Sequence, residues 1–268
     1  MIYSDFHLHT TFSGDGETSM KDMIEQGITL GLKTMCFTEH MDYDFDPDCD
    51  VDFLLDTQSY HDAFLEYQDL YKSKIQLLFG VELGLQPHLA KQHHEFLASY
   101  PFDFVIGSSH LIHGTDPYYP KFFENRTEKE GLMEYFHSIL ENIEAFSEFD
   151  VYGHIDYVIR YSPERKENYS FEEYYELIDE ILKKLIATEK GIEVNTGGFK
   201  YGLGHPNPHE NILKRYRELG GEIITVGSDA HTKNYLAYEF SKTHELLKEA
   251  GFSYYTIFKD RKPEFIRL

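Results

Sequence analysis

The sequence of 268 residues contains no tryptophan, only two cysteines and few basic residues. Cys36 and Cys49 are too few for a disulfide framework or for a cysteine-based structural zinc site. No apolar run approaches the roughly 20 residues of a membrane-spanning helix, and the N-terminal residues lack the basic and apolar segments of a secretory signal. We therefore expect a globular protein with a cytoplasmic location.

The shortage of basic residues restricts the class of partner. The sequence has 25 basic and 47 acidic residues, which gives a formal net charge of −22. Broad contact with the backbone of a nucleic acid requires basic patches, so neither nucleic acid nor a membrane is the expected partner. An anionic small molecule remains compatible, because bound divalent metals reverse the local field where a phosphate lies. The sequence gives no basis for an oligomeric state.

Short apolar runs alternate with amphipathic stretches along the whole chain. The predicted strands are Ile2–His7, Thr34–Thr38, Ile75–Val81, Phe104–Ser108, Val151–His154, Gly191–Asn195 and Glu222–Gly227. The predicted helices are Met20–Leu32, Asp56–Tyr71, Leu89–Ser99, Glu128–Phe149, Phe171–Thr188, Asn211–Leu219 and Leu236–Ala250. This alternation predicts an α/β fold with a parallel sheet inside a layer of helices. Seven strands favour an irregular barrel, with an open doubly wound sheet as the alternative. We find no repeat or linker, so residues 1–268 are predicted to form one domain.

Polar residues follow the predicted strands where each strand ends. The candidates are His7, His9, Asp15, His40, Glu82, His110, His154, Asp229 and His231. The carboxyl ends of parallel strands form one rim, so these side chains are expected to converge. Imidazoles mixed with carboxylates suit Zn, Mn or Fe, and Asp5 is a candidate to orient one imidazole. Nine ligands are enough for three ions, and clusters of such ions are typical of phosphoester hydrolysis.

The other histidines have a less specific interpretation. Eight of them fall on predicted helices or loops and are interpreted as surface residues, namely His61, His88, His93, His94, His113, His137, His209 and His244. His205 lies in a predicted helix-entry loop, with a substrate contact as the alternative. The acidic stretch Asp42–Asp56 is interpreted as a solvated loop, with a lid over the substrate as the alternative.

With these residues identified, the sequence resembles the polymerase and histidinol phosphatase (PHP) superfamily. The motifs that carry the resemblance are DFHLHTTFSGDG, TEH, GVE, SSH, GHID and SDAH, which run in order from Asp5 to His231. The resemblance implies a distorted, TIM-barrel-like (β/α)7 barrel whose metal centre hydrolyses phosphoesters. The stretches GHIDYVIRY and NTGGFKYGLGHPNP resemble the stand-alone histidinol-phosphatase subfamily of histidine biosynthesis.

The resemblance also assigns roles to the candidate residues. It implies a first metal held by His7, His9, Glu82 and Asp229, a second held by Glu82, His110 and His154, and a third held by Asp15, His40 and His231. Arg160, six residues after His154, matches the position of a substrate-binding arginine and suits bidentate phosphate recognition. A surface ion pair is its alternative role. Lys200 and His205 are further candidates for substrate binding. A metal-bound water, Asp229 and His231 are the candidates to protonate the leaving alcohol.

The expected cofactors are up to three divalent transition metals, Zn, Mn or Fe. The expected reaction is hydrolysis of L-histidinol phosphate, a small phosphate monoester, by direct attack of a metal-activated water. No serine or cysteine is paired with a dedicated base that would form a phosphoenzyme. A phosphoesterase that acts on nucleotides is the alternative, and a non-catalytic accessory domain of a polymerase is a third hypothesis.

Overall fold

The computed structural model describes residues 1–45, 49, 51–163 and 170–268, and its core is a single sheet of seven parallel strands in chain order. The strands are β1 (Ser4–Asp5), β2 (Thr34–Met41), β3 (Gln76–Gly84), β4 (Phe104–Ser108), β5 (Val151–Tyr152), β6 (Gly191–Asn195) and β7 (Ile224–Gly227). The backbone amide of Phe6 donates to Val226 O at 3.0 Å, and that of Asp229 donates to His7 O at 2.7 Å. These bonds join β1 to β7, so the sheet is a distorted barrel and the open-sheet alternative is wrong.

Helices surround the barrel, as the sequence pattern predicts. They are α1 (Met20–Leu30), α2 (Thr57–Tyr71), α3 (Ala90–Leu97), α4 (Glu128–Ala145), α5 (Tyr175–Ala187), α6 (Gly197–Lys200), α7 (Glu210–Glu218) and α8 (Phe240–Glu249). α1 begins where Ser19 accepts the amide of Asp22, and α4 begins in a capping box of Thr127 and Glu130. Among the described residues, no helix has the length and apolar character needed to cross a membrane.

The predicted strands and helices differ from the observed ones mainly at their ends. β2 and β3 continue three residues beyond the predicted ends, because they pair residue by residue as far as Met41 and Leu83. β5 is only two residues long, and the chain leaves the sheet before His154. α4 ends at Ala145 rather than Phe149, and α8 begins at Phe240 rather than Leu236. Tertiary pairing therefore sets these boundaries, which local sequence pattern does not record.

An antiparallel hairpin, β8 (Tyr254–Lys259) and β9 (Lys262–Arg267), was not predicted from the sequence. Phe258 packs against Phe104 with ring centroids 5.1 Å apart, and the hydroxyl of Thr256 accepts the amide of Ile224 at 3.1 Å. Both partners begin a barrel strand. The hairpin therefore covers the N-terminal end of the barrel and leaves the opposite end for the polar residues.

Candidate metal centre

All nine residues that the sequence singles out come together at the C-terminal end of the barrel. His40 and Glu82 lie within β2 and β3, while the other seven lie in segments that follow strands. Asp229 has a backbone φ of 53°, in the left-handed region, which turns the chain sharply after β7. Strained backbone at strand ends is common in functional sites. The parallel topology therefore gathers residues from positions 7 to 231 of the chain.

The first group contains His7, His9, Glu82 and Asp229. Nε2 of His7 lies 3.1 Å from both Nε2 of His9 and Oε2 of Glu82. Oδ1 of Asp229 lies 3.4 Å from Nε2 of His9 and 3.7 Å from Nε2 of His7. The four side chains therefore direct their donor atoms at one small volume.

The second group shares Glu82 with the first. The other carboxylate oxygen of Glu82, Oε1, lies 2.9 Å from Nε2 of His154 and 3.3 Å from Nε2 of His110. Ser108 donates its hydroxyl to the same oxygen at 2.6 Å and fixes the carboxylate. The two oxygens of Glu82 thus face different histidines, Oε2 those of the first group and His40, and Oε1 those of the second group.

The third group contains Asp15, His40 and His231. Oδ2 of Asp15 lies 3.0 Å from Nε2 of His231, and Oδ1 lies 3.8 Å from Nε2 of His40. The rings of His9 and His40 stack with centroids 4.1 Å apart, so this group adjoins the first. Its members are less buried than those of the first group, because Asp15 retains 35% exposure of its side chain.

The chemistry of these donor sets fits metal ions. Neighbouring ligands of a tetrahedral zinc ion, bound at about 2.0–2.1 Å, are separated by roughly 3.3 Å, which is close to the separations in the first two groups. Nδ1 of His40 lies 3.0 Å from Oε2 of Glu82, yet it has no hydrogen-bond partner among the described residues. Within the same part of the chain, Oδ1 of Asp15 is also buried without one. Buried polar atoms are almost always paired, so these atoms are suited to ligate an ion.

Two carboxylates outside the nine residues orient imidazole rings. Oε1 of Glu193, in the middle of β6, lies 2.6 Å from Nδ1 of His7, and Oδ1 of Asp42 lies 2.7 Å from Nδ1 of His110. Carboxylates in such positions fix ring orientation and tautomer at metal sites. Sequence reasoning missed both as site residues, although Glu193 lies on a predicted strand and Asp42 follows His40 by two residues.

The predicted orienting role of Asp5 is wrong. Its carboxylate accepts the amide and hydroxyl of Ser228, at 2.9 and 2.6 Å, and the amide of Ala237 at 3.0 Å. Asp5 therefore holds the chain after β7 in place and does not contact an imidazole nitrogen. Burial raises the pKa of Asp5 to about 6, against the lowering effect of these hydrogen bonds.

Opposite charges stabilise one another inside the cluster. Burial alone lowers the pKa of His7, but Glu193, Glu82 and Asp229 outweigh burial and raise it well above its ordinary value. Burial raises the pKa of Glu82, but the neighbouring histidines hold it well below its ordinary value. The carboxylate is therefore kept ionised, which is the form that binds metals.

A cavity of about 350 Å³ opens onto the cluster. Arg160 and Lys200 line it, together with the rings of Tyr157, Tyr161 and Tyr201. The guanidinium carbon of Arg160 lies 3.1 Å from the centroid of the Tyr201 ring, and Arg160 has no carboxylate partner among the described residues. A larger external groove of about 540 Å³, between α2 and β3, contains none of the ligand groups. The cavity that opens onto the cluster, rather than the external groove, is therefore suited to bind a substrate.

Three of the sequence interpretations are wrong in part. His205 is buried and is not among the residues that line the cavity, and its Nδ1 lies 2.7 Å from Pro206 O. His93 and His244 are buried rather than exposed, and His209 is half-buried. Phe45 and Phe53 line the cavity, so part of the Asp42–Asp56 stretch faces the site, while Asp44, Asp52, Leu54 and Asp56 are exposed to solvent as in the interpretation of a solvated loop. Residues 46–48 and 50 of that stretch lie outside the described residues.

Comparison with known proteins gives a consistent result along the chain. Residues 5–197 match the model of the PHP domain. The histidinol-phosphatase of Lactococcus lactis subsp. lactis is 32% identical over 262 residues, which cover 96% of this chain and 95% of that protein. The probable histidinol-phosphatase of Clostridium acetobutylicum is 34% identical over 250 residues, which cover 92% and 93%.

Solved structures agree with the sequence comparisons. The crystal structure of the Lactococcus lactis histidinol phosphate phosphatase, complexed with zinc, L-histidinol and phosphate, has a TM-score of 0.89 and covers 98% of each chain at 32% identity. A putative histidinol phosphatase from Listeria monocytogenes has a TM-score of 0.79 at 21% identity, covering 89% of this chain and 99% of that one. The second similarity supports the fold alone.

Proposed function

Because the chain belongs to the PHP domain family, we propose that it is a histidinol-phosphatase, which hydrolyses L-histidinol phosphate to L-histidinol and phosphate in histidine biosynthesis. The observation that carries this proposal is the similarity of nearly the whole chain to an enzyme solved with L-histidinol, phosphate and zinc. The gathering of nine ligand-type residues beside a cavity supports it independently. The enzyme is thus a phosphoric monoester hydrolase.

We propose that the three groups of the cluster hold up to three divalent transition metals, Zn, Mn or Fe. His7, His9, Glu82 and Asp229 would hold the first, Glu82, His110 and His154 the second, and Asp15, His40 and His231 the third. Donor atoms that converge at separations of 2.9–3.8 Å support this assignment. Bound metals would supply an activated water at neutral pH and neutralise the charge of phosphoryl oxygens.

Arg160 and Lys200 are the proposed phosphate-binding residues. Both line the cavity, and both pack against aromatic rings, Arg160 on Tyr201 and Lys200 at 4.5 Å from the ring centroid of Tyr235. A guanidinium that lies flat on a ring loses less entropy when it forms two hydrogen bonds to a phosphate. This packing supports a phosphate role rather than a surface ion pair.

The leaving alkoxide needs a proton, and His231 is the proposed side chain that provides it, with Asp229 as the carboxylate beside it. Both line the cavity, with Oδ1 of Asp229 3.6 Å from Nδ1 of His231. Burial raises the pKa of Asp229, but His7 and its neighbours hold it well below its ordinary value. The ionised Asp229 has no proton to donate, and its backbone carbonyl lies 3.1 Å from Nδ1 of His231, which supports His231 as the donor.

The proposed partner is a small phosphate ester rather than a nucleic acid, and the net charge of −22 supports this choice. A cytoplasmic location stays a prediction, as expected for a biosynthetic enzyme.

The test is turnover by metal-reconstituted protein on a panel of phosphate monoesters that includes nucleotides, sugar phosphates and phosphotyrosine. We expect kcat/KM for L-histidinol phosphate to exceed that for the other esters by roughly 100-fold or more. Protein stripped with a chelator serves as the control for contaminating phosphatases. Activity confined to nucleotides would contradict the substrate assignment.

Direct attack of water is tested with a chiral phosphoryl group and ¹⁸O-labelled water. We expect inversion of configuration with the label in phosphate, because one in-line displacement inverts phosphorus. Retention of configuration would indicate a phosphoenzyme and would exclude direct attack.

A further inference from the structure

Asp116 is a buried carboxylate on the cavity wall that belongs to none of the three ligand groups. It follows β4 and is only 9% exposed. Its Oδ1 accepts the backbone amide of Tyr118 at 2.8 Å. Its backbone carbonyl accepts the amide of Tyr119 at 3.1 Å, so the side chain is held in a fixed turn. Within the part of the chain that the structure describes, no lysine, arginine or histidine lies within ion-pair distance of Asp116.

The other acidic residues of the cavity are in different situations. Among the described residues, six acidic ones line it, namely Asp15, Glu17, Asp42, Glu82, Asp116 and Asp229. Four of them lie beside histidines of the cluster. Glu17 is exposed at the rim. Asp116 alone among these six is buried without a cationic partner in the described residues.

A buried anion without a cation is costly unless a ligand supplies the positive charge. Burial raises the pKa of Asp116 to about 6, with His110 and Arg160 opposing the rise, so the carboxylate is mainly ionised at pH 7.5. Its interaction with a cation is strong, because the site is shielded from water.

We propose that Asp116 binds the primary ammonium group of the substrate and thereby selects amino-alcohol phosphates. The proposal rests on the proposed function and adds the residue that recognises the amine. The substrate carries a dianionic phosphate and a cationic amine on one small molecule. Arg160 and Lys200 suit the phosphate and repel the ammonium, which therefore needs a carboxylate elsewhere on the wall.

The test compares wild-type protein with Asp116→Asn on two esters, L-histidinol phosphate and 3-(imidazol-4-yl)propyl phosphate, which lacks the amine. Asparagine keeps the oxygen that accepts the amide of Tyr118, so the turn should remain intact. We expect kcat/KM for L-histidinol phosphate to fall roughly 10- to 100-fold, mainly through KM, as loss of a charged hydrogen bond predicts. The ester without the amine should change less than about 3-fold. Metal content and the unfolding midpoint should match those of wild type.

Glu17→Gln is the matched control, because among the described acidic residues of the cavity Glu17 is the other one whose carboxylate makes no ion pair with a histidine of the cluster. We expect it to leave the ratio of kcat/KM between the two esters unchanged. If Asp116→Asn lowers kcat/KM equally for both esters, the proposal is overturned. It is also overturned if Glu17→Gln, and not Asp116→Asn, lowers kcat/KM only for the ester that carries the amine.

Binding of the two alcohols, L-histidinol and 3-(imidazol-4-yl)propan-1-ol, separates this proposal from the proposed function. Calorimetry measures their affinities without turnover. If wild type hydrolyses neither ester, the proposed function is wrong. The proposal on Asp116 then still holds if Asp116→Asn lowers the affinity for L-histidinol but not for the alcohol without the amine. It is wrong if each alcohol binds wild type and variant with the same affinity.

Discussion

At the level of single residues, the site depends on side chains that perform two tasks at once. Glu82 directs one carboxylate oxygen toward His7 and the other toward His154, so it joins two ligand groups. Its burial would raise its pKa, and the histidines that surround it keep it ionised. Each charged residue of the cluster is therefore stabilised by the residues with which it would share an ion.

Arg160→Ala should lower kcat/KM for L-histidinol phosphate by about 2–4 kcal/mol in transition-state free energy. The guanidinium is the proposed phosphate-binding group, and alanine leaves the phosphoryl charge without it. Steady-state kinetics give the change, and elemental analysis should show the wild-type metal content. Arg160→Lys keeps the charge but not the two-pronged geometry, so it should recover only part of the activity. An unchanged kcat/KM in Arg160→Ala would contradict phosphate binding by Arg160 and would favour the alternative role in a surface ion pair.

Glu193→Gln should weaken metal binding by roughly 10- to 100-fold, because the carboxylate that orients the His7 ring is lost. Its Oε1 lies 2.6 Å from Nδ1 of His7. Competition with a chelator measures the affinity. Asp150→Asn is the control, since Asp150 is equally buried but accepts from Val105 and Arg261 on the hairpin side of the barrel. Equal affinities in wild type and Glu193→Gln would contradict the orienting role.

At the level of elements, parallel strands bring the ligands together, while helices and the hairpin decide which other residues are buried. α3 shows this for two neighbouring histidines. His93 is fully buried, with its ring 5.6 Å from Tyr43 and 5.4 Å from Phe146, whereas His94 is exposed and pairs with Glu148. Helical period places one histidine on the packed face and the next on the outer face.

Stability should fall in acid partly because of His93. Burial lowers the pKa of His93 from 6.5 to about 4. Between these values the unfolded chain binds a proton that the folded chain does not, so the free energy of unfolding falls as pH is lowered from 6.5 to 4. The loss amounts to at most roughly 3 kcal/mol. His93→Phe should make this slope shallower in chelator-treated protein, measured by denaturant unfolding.

His94→Phe controls for the loss of a histidine from the same helix. If both variants change the slope equally, the effect does not come from burial of His93.

At the level of the whole molecule, the barrel brings ionisable side chains from distant parts of the chain to one site at its C-terminal end. Nine ligand-type residues from positions 7 to 231 converge there, while the β8–β9 hairpin covers the other end. Six of the 15 histidines of this acidic chain thus lie beside buried or partly buried carboxylates. Folding and metal binding should therefore be coupled.

Protein purified without chelator and then reconstituted should contain up to three equivalents of Zn, Mn or Fe per chain. The metal identity should follow availability, because affinity order alone does not select among them. The thermal midpoint should rise with metal concentration, since ions bind the folded state preferentially. Elemental analysis and thermal unfolding measure the two effects. One equivalent or fewer after reconstitution would contradict a three-metal cluster.

The sequence by itself determined a fold of seven parallel strands with nine polar residues at one rim, whereas the hydrogen bonds between β1 and β7 decided that the sheet closes into a barrel. Alternating periods identify strands and helices locally, and side chains that follow parallel strands must meet at one end whatever the details of packing. His7, Glu82 and Asp229 could therefore be grouped although they are far apart in the chain.

Only the tertiary structure decided which residues surround that rim. Glu193 and Asp42 orient imidazoles, Asp116 faces the cavity, His93 is buried, and Asp5 holds the chain after β7 instead of an imidazole. Each of these facts depends on a contact between segments distant in sequence or on the rotation of one side chain. Local sequence pattern contains no information on such contacts, because period and propensity describe only the face of an element and not what packs against it.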